Sequence, residues 1–439
     1  MCENYRNLNV LVLGSGISGL GAEKLLNKLG ANVFLYDEAV DKILLTERFV
    51  EQFDLCVISP SIDLKHKIYK VCKKEKVEVI SEVELASRNF SGLIVGITGT
   101  NGKTTVTKLL ECILKEGSLN AKACGNVGYS FSECVAVDNP NIAVVELSSF
   151  QLEQMCDGGK LRPHIAMITN ISPDHLDRHG NMDIYAKAKK NIAKNQTTED
   201  YLLLSSDDIA SEYLAGFNPK SKVEFVSVEN KVDGAYLFGD KLCYYGEEVC
   251  SIDDIALKGQ HNVANALFCL ATAKILGVDN DAIVSGLGKY GGEPHRIVFC
   301  SEVFGKRFFN DSKGTNIGAT IAATKSMKGN TVLIVGGKDK GYDFDNLFLR
   351  LPKNIVKVLA IGETAEKLFA SAIRAGFVNI EIARSLERAI KMSLDIETDN
   401  VLLSPACSSF DSYKDYKDRG EEFERIVKEL QTTTDKTTN

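Results

Sequence analysis

The chain has 439 residues, 44% of them apolar and 25% charged, with a formal net charge of −7. That balance supports sizeable cores and excludes a general polyanion binder, so no nucleic-acid partner is expected. Any anionic ligand must be met by local lysines, arginines, backbone N–H groups or a metal ion rather than by the overall field.

The first block, residues 1–91, opens with the polar MCENYRNLN and no apolar leader. The runs Leu8–Leu13, Val33–Tyr36, Leu55–Ser59 and Val77–Ile80 read as strands, with a helix over Gly19–Leu29. Such alternation favours a parallel α/β sheet. Gly14, Ser15, Gly16 and Gly19 form GSGISG after the first strand, and Asp37 closes the second. A diphosphate can approach a helix N-terminus built this way, and by itself the pattern also suits an NAD-dependent oxidoreductase.

The second block, 92–294, begins with the strand Leu93–Ile97 and the segment GITGTNGKTT. Strand, glycine-rich turn and helix start make a phosphate cradle: N–H groups and the helix N-terminus face the anion, and Lys103 reaches the terminal phosphates. The glycines fall at 96, 99 and 102, off the usual spacing, because Ile97 stands where the first glycine belongs. Ile142–Glu146 and Ile165–Thr169 follow as strands, each with polar residues at its C-terminal end, where ligands sit in open α/β sheets. Glu146 ends a buried strand, where a charge needs a cation partner such as Mg²⁺. Asn170, Asp174, His175, Asp177 and His179 crowd one loop, so His175 is a possible metal ligand or phosphate contact. YAKAKKNIAKN at 185–195 reads as a basic helical face, and the stretch 201–255 as an inserted sheet. In the helix Asn262–Leu276, Asn262 and Asn265 share a face suited to adenine or ribose, although amide capping explains them nearly as well.

The third block, 295–439, repeats the rhythm, with strands at Thr331–Val335, Val356–Ile361, Ile380–Ala383 and Val401–Ser404 and helices at Ala365–Ala375 and Leu386–Leu394. Three loops carry its chemistry: NDSKGTN with Asp311, Lys313 and Thr315; GGKDKG with Lys338 and Lys340; and SPACSSFD, whose Ser408, Ser409 and N–H groups could hold a carboxylate. The tail QTTTDKTTN lacks periodicity and is expected to be frayed. No stretch reaches the ~18 unbroken apolar residues of a membrane helix. Twelve scattered cysteines contain no CxxC pair, so a cytoplasmic protein with reduced thiols is expected.

GSGISG, TGTNGKTT, ELSSFQLE, ISPDHLDRHG, GQHNVANAL, PHR, NDSKGTN, GGKDKG and SPACSSFDSYKDYKDRG, in that order over nearly the whole chain, resemble the Mur ligase family, which includes folylpolyglutamate synthases. The resemblance implies three α/β domains: an N-terminal Rossmann-like domain (1–91) for a UDP-linked substrate, a central P-loop-type ATPase domain with a mostly parallel sheet (92–294), and a C-terminal Rossmann-like domain (295–439) for an amino acid. It implies ATP and Mg²⁺ as cofactors and an amide ligase acting through an acyl phosphate. The glycine-rich N-terminal loop and the SPACSSFD segment resemble the member that adds D-glutamate to UDP-N-acetylmuramoyl-L-alanine. Another acceptor within the family, an oxidoreductase and a non-catalytic nucleotide switch stand as alternatives.

Carried over by position, Gly99, Thr100, Asn101, Gly102, Lys103, Thr104, Thr105, Asn262, Arg296, Asp311 and Lys313 resemble ATP-binding residues. Gly14, Ser15, Gly16, Asp37, Ser59, Asn126 and Ser149 resemble UDP-substrate contacts. Thr315, Lys340, Ser409 and Phe410 resemble the D-glutamate pocket. Thr104, Glu146, His175 and a carbamylated Lys189 resemble metal ligands, and Lys103, Glu146, His175 and Lys189 the catalytic set. The sequence departs from the family where Glu38 follows Asp37 and where SPS replaces SPG at 59–61. A monomer is expected.

Overall fold

The computed structural model describes residues 4–437 apart from 39, 42–46, 64, 156–158, 208–212, 215, 258 and 293, and leaves the side chains of 47, 177 and 432–437 undescribed. Asp177, singled out in the sequence, therefore has its side chain outside the described residues.

Three sheets follow one another along the chain. The first is wholly parallel, in the order β2-β1-β3-β4, with β1 at Asn9–Leu13, β2 at Asn32–Tyr36, β3 at Leu55–Ile58 and β4 at Glu78–Ser81. Val10–Leu13 and Leu55–Ile58 are buried throughout, as the inner strands of a sheet covered on both faces must be.

The second sheet has nine strands. Its chemistry-bearing centre is β5 (Leu93–Thr98), β6 (Ala121–Gly125), β7 (Ile142–Glu146) and β8 (Ile165–Ile168), all parallel. Strands β9 (Tyr201–Ser205), β10 (Lys222–Ser227) and β11 (Gly234–Phe238) continue it in parallel, and β12 (Lys241–Tyr244) and β13 (Glu247–Ser251) finish it antiparallel. This corrects the reading of 201–255 as a separate insertion: the order is β13-β12-β11-β10-β9-β8-β5-β7-β6, one continuous sheet. Backbone pairing between β8 and β9 carries the ladder across, and no hydropathy pattern encodes that choice of neighbour.

The alternation of β7 distributes its side chains between two cores. Ile142 and Val144 join the cluster under the helices Lys103–Glu116 and Gln260–Ile275, while Ala143 and Val145 join a cluster shared with Val10, Val12 and Val57 of the first sheet. The first two sheets thus share a core.

The third sheet runs β14-β15-β19-β16-β17-β18, with β14 at Val298–Val303, β15 at Lys306–Asn310, β16 at Thr331–Gly336, β17 at Ile355–Ile361, β18 at Ile380–Arg384 and β19 at Asn400–Leu403. Only the hairpin β14–β15 is antiparallel. The last helix, Tyr416–Thr437, takes in most of the tail expected to fray. Once its inner face is anchored by Phe423, Ile426 and Val427, each further residue adds a hydrogen bond at little cost.

Contacts group the chain into two compact units, 1–171 with 181–291, and 172–180 with 292–439. The segment 172–180 comes from the middle of the chain yet belongs with the third sheet. No described helix is long and apolar enough to cross a membrane.

Candidate active site

Strand β5 delivers the glycine-rich turn to the start of the helix Lys103–Glu116. Gly102 caps that helix at φ +84°, and a Cβ there would meet Asn265 Oδ1 at 2.5 Å; Gly99 adopts φ +151°, and its Cβ would meet Thr169 Oγ1 at 2.0 Å. Both positions need glycine for conformation and for space. The turn is pinned from β8: Thr100 N donates to Asn170 O at 2.9 Å, Asn101 N to Asn170 Oδ1 at 2.8 Å, and Thr169 Oγ1 to Asn101 O at 2.7 Å. Thr104 and Thr105 follow, buried, in the first helical turn.

Two lysines converge on this turn. Lys103 Nζ donates to Gly99 O (2.9 Å) and Thr100 O (2.8 Å), and Lys189 Nζ donates to Gly99 O at 2.6 Å. Lys189 is 1% exposed, with its ammonium 4.5 Å from the centre of the Tyr185 ring. The basic helix Met182–Lys190 therefore turns Lys189 inward, the position that the family resemblance singled out, because its amphipathic packing buries Tyr185, Ala186, Ala188 and Lys189 together. A helix N-terminus, a glycine turn and two ammonium groups make a strong anion site.

Beside β5, Glu146 ends β7, and Leu147 N donates to Ile97 O at 2.8 Å. Glu146 is 2% exposed; Oε1 accepts from Asn126 Nδ2 at 2.8 Å, and Oε2 is buried with no hydrogen-bond partner. A buried carboxylate oxygen left this way fits a cation. Among the described residues no three His, Cys, Asp or Glu side chains converge on one ion. The unpartnered carboxylate oxygen suits Mg²⁺, which keeps waters and takes phosphate oxygens. On the other side of the turn, Asn265 Nδ2 donates to Asn262 Oδ1 at 3.1 Å, both buried. Gly259 caps that helix at its N-terminus, three residues before Asn262.

In the first sheet, Asp37 Oδ2 accepts from Ser15 N (2.8 Å) and Ser15 Oγ (2.7 Å), while Ser59 Oγ donates to Gly14 O at 3.3 Å. Gly16 has open space where a Cβ would stand. A cavity of about 410 Å³, lined in part by Gly14, Asp37, Glu38, Ser61 and His66, opens beside them. Glu38 is neutralised there: it receives Lys67 Nζ at 2.5 Å and His66 Nε2 at 3.0 Å, and the lysine, then the histidine, hold its carboxyl below the usual range. Gln154 Nε2 donates to Ser59 O (3.1 Å) and Ile62 O (2.9 Å), joining the cavity wall to the helix Ser149–Glu153 that follows Glu146. Nothing in the sequence pattern marked Gln154.

The second unit gathers four loops. Lys340 Nζ donates to Thr315 O at 3.2 Å and lies 3.6 Å from Asp174 Oδ1. Asp174 also accepts from Tyr342 OH at 2.5 Å and Asn316 Nδ2 at 3.2 Å. The acid thus ties the segment 172–180 to the lysine and the threonine expected to hold an amino acid; the sequence placed it in its loop but assigned it no role. Next to it His175 takes a left-handed φ of +52° with Nε2 3.6 Å from Asp174 Oδ2. Asp311 accepts from Ser404 Oγ at 2.6 Å, and burial pushes its carboxyl up to about 7. Arg296 lies between His295 (φ +60°) and Ile297 (φ +52°), with a buried Nε that has no partner. Strain of this kind collects at functional segments. Lys313 Nζ lies 5.7 Å from the Tyr416 ring centre, Ser409 is buried, and Phe410 is 69% exposed.

Residues 97–273 match the family pattern of the Mur ligase middle domain. The chain is 37% identical, over 96% of its length and 98% of the relative's, to a UDP-N-acetylmuramoylalanine–D-glutamate ligase of Caldanaerobacter subterraneus subsp. tengcongensis. It is 38% identical, over 97% and 98%, to the enzyme of that name from Bacillus thuringiensis. Its fold is similar to a pseudomurein peptide ligase type C from Methanothermus fervidus, with a TM-score of 0.63, 20% identity and coverage of 97% and 100%.

Proposed function

This chain belongs to the Mur ligase family, and from that premise we propose that it is an ATP-dependent ligase joining D-glutamate to UDP-N-acetylmuramoyl-L-alanine through an acyl phosphate. The single observation that carries the reading is the pairing of the phosphate turn, under Lys103 and Lys189, with the buried carboxylate of Glu146 whose Oε2 has no protein partner. The names of the full-length relatives supply the substrates. Residues 1–91 are assigned to the UDP-linked acid, 92–294 to ATP and 295–439 to the amino acid.

In this reading the turn N–H groups and Lys103 hold the phosphates. Lys103 leaves the Gly99 and Thr100 carbonyls for phosphate oxygens, and the developing charge is met by groups already in place. Mg²⁺, held through Glu146 and Thr104 with a carbamylated Lys189 as a further contributor, would supply charge neutralisation on the phosphates. Asn126 fixes the rotamer of Glu146. Lys340 and Thr315, steadied by Asp174, receive a carboxylate of the incoming amino acid, and Asn262 with Asn265 the base. The substrate carboxylate attacks the γ-phosphate, breaking its bond to the bridging oxygen and releasing ADP, and the amine then attacks the acyl phosphate with loss of inorganic phosphate and a proton.

Phosphate release is measured with ATP, Mg²⁺ and UDP-N-acetylmuramoyl-L-alanine, adding one amino acid at a time. Release dependent on D-glutamate is expected. Release with meso-diaminopimelate or L-lysine instead moves the acceptor assignment elsewhere in the family, and the absence of release with every acceptor overturns the ligase reading.

A further inference from the structure

The side chain of Arg419 is among the largest fully buried in the described chain, 1% exposed, and the proposed reaction uses it nowhere. It enters from the first turns of the helix Tyr416–Thr437 and reaches the loops that follow β15, β16 and β19. Nε donates to Ser312 Oγ at 3.0 Å and Nη2 to Ser312 O at 2.9 Å. Nη1 and Nη2 donate to Cys407 O at 3.3 and 3.2 Å, and Nη1 also to Ser408 O at 3.3 Å. The third loop is in van der Waals reach: a Cβ on Gly337 would meet Arg419 Nη1 at 3.1 Å and Ser408 O at 2.3 Å.

Every hydrogen-bond acceptor recorded for this guanidinium is a carbonyl or a hydroxyl. Among the described residues no carboxylate forms an ion pair with it, and Asp411 and Asp311 act on it only through longer-range attraction. A charge buried among neutral dipoles is costly unless an anion comes to it. Geometry shows where that anion would be received. In a planar trans peptide the C=O and the following N–H point in opposite directions. Ser408 O is drawn toward Arg419 and toward Lys338 N, which donates to it at 2.9 Å, so the Ser409 N–H is turned to the other side.

We propose that Arg419 is the positioning residue of the acceptor pocket: its buried fork fixes the turn at 407–409 with the Ser409 N–H facing the incoming amino acid, and its unpaired charge makes that pocket select an acceptor with an acidic side chain. Arg419 does not touch the acceptor; it acts through the peptide groups it holds. The inference rests on the ligase reading given above.

The test compares the parent enzyme with Arg419→Lys, which keeps the charge and loses the fork, and Arg419→Met, which loses both. KM for D-glutamate, KM for ATP and kcat are measured by phosphate release, with a thermal melt on each protein. Loss of charge-assisted bonds predicts KM for D-glutamate raised about tenfold or more in the Met variant and by less in the Lys variant. KM for ATP and kcat at saturating D-glutamate stay within about threefold, since such a residue acts on ground-state binding of one substrate. D-glutamine, the neutral isostere, gains relative to D-glutamate only in the Met variant. KM for ATP rising in step with that for D-glutamate, or neither moving, overturns the proposal. Where the Met variant loses its cooperative melt, Ser312→Ala removes one acceptor of the fork. It is expected to raise KM for D-glutamate about threefold, and an unchanged value overturns the proposal equally. A parent enzyme with no D-glutamate-dependent release refutes the D-glutamate assignment and this inference with it; an active parent with unmoved variants refutes this inference alone.

Discussion

Replacing Glu146 by Gln separates what the carboxylate does for the fold from what it does for the reaction. In the protein alone, Oε1 is satisfied by Asn126 Nδ2 at 2.8 Å, while Oε2 is buried with no partner, on a side chain 2% exposed. A buried polar atom without a partner costs about 1–3 kcal/mol, and more when it carries charge. The amide keeps the acceptor that faces Asn126 and replaces the other oxygen by a neutral NH₂, so roughly 1–2 kcal/mol of that cost is recovered. At about 2–4 °C per kcal/mol for a unit of this size, Glu146→Gln melts roughly 2–8 °C above the parent in EDTA. With Mg²⁺ and ATP the order reverses in effect: the parent gains ligand stabilisation and the variant little, and phosphate release falls by a factor on the order of 10³. Differential scanning fluorimetry with and without Mg²⁺–ATP reads both halves. A variant that melts below the parent in EDTA would show that the protein itself satisfies the carboxylate, and the argument for a cation at Glu146 would be wrong.

Lys103→Ala is expected to abolish ADP release with both substrates present; near-normal turnover removes the phosphate-turn assignment. Gly102→Ala forces a side chain into φ +84° and drives Cβ onto Asn265 Oδ1, 2.5 Å away, so KM for ATP should rise about tenfold with the fold retained; an unchanged KM for ATP would separate Asn262 and Asn265 from nucleotide binding. Asp311 has its carboxyl raised from 3.8 to about 7 by burial, so the native state holds a proton that the unfolded chain has already lost. Its stabilising contribution is full below the unfolded value and is lost as pH rises toward about 7, a span worth roughly 4 kcal/mol as an order of magnitude. Urea midpoints between pH 5 and 8 should therefore flatten in Asp311→Asn, and a slope equal to that of the parent refutes the assignment.

Local chemistry was open to reading. Strand β1, the GSGISG and TGTNGKTT turns, β7 ending in Glu146 and the strands β16 to β19 depend on short-range rules: an apolar run buries itself, and a glycine permits a backbone that no other residue allows. Those rules act within a few residues, so the order of the letters determines them. The stretch 201–255 was harder, because β10 and β13 mix exposed and buried positions at the outer end of the sheet, and hydropathy cannot say which strand a strand will join.

The site was legible as a set of loops but not as a set of partnerships. The family resemblance singled out Lys189, but only packing turned it onto Gly99, ninety positions away. Asn126 on Glu146, Gln154 on the cavity wall, Asp174 between Lys340, Tyr342 and Asn316, and Arg419 beneath the turn at 407–409 are pairings between residues 11 to 168 positions apart. A hydrogen bond depends on distance and angle between two groups, and only the packed sheets and helices set these. The sequence by itself determined which chemical groups the protein owns and which turns present them; the tertiary structure decided which carboxylate is left unpaired, which lysine is turned inward and which cation is buried without a counter-ion, because burial and partnership are properties of the folded chain and of no residue alone.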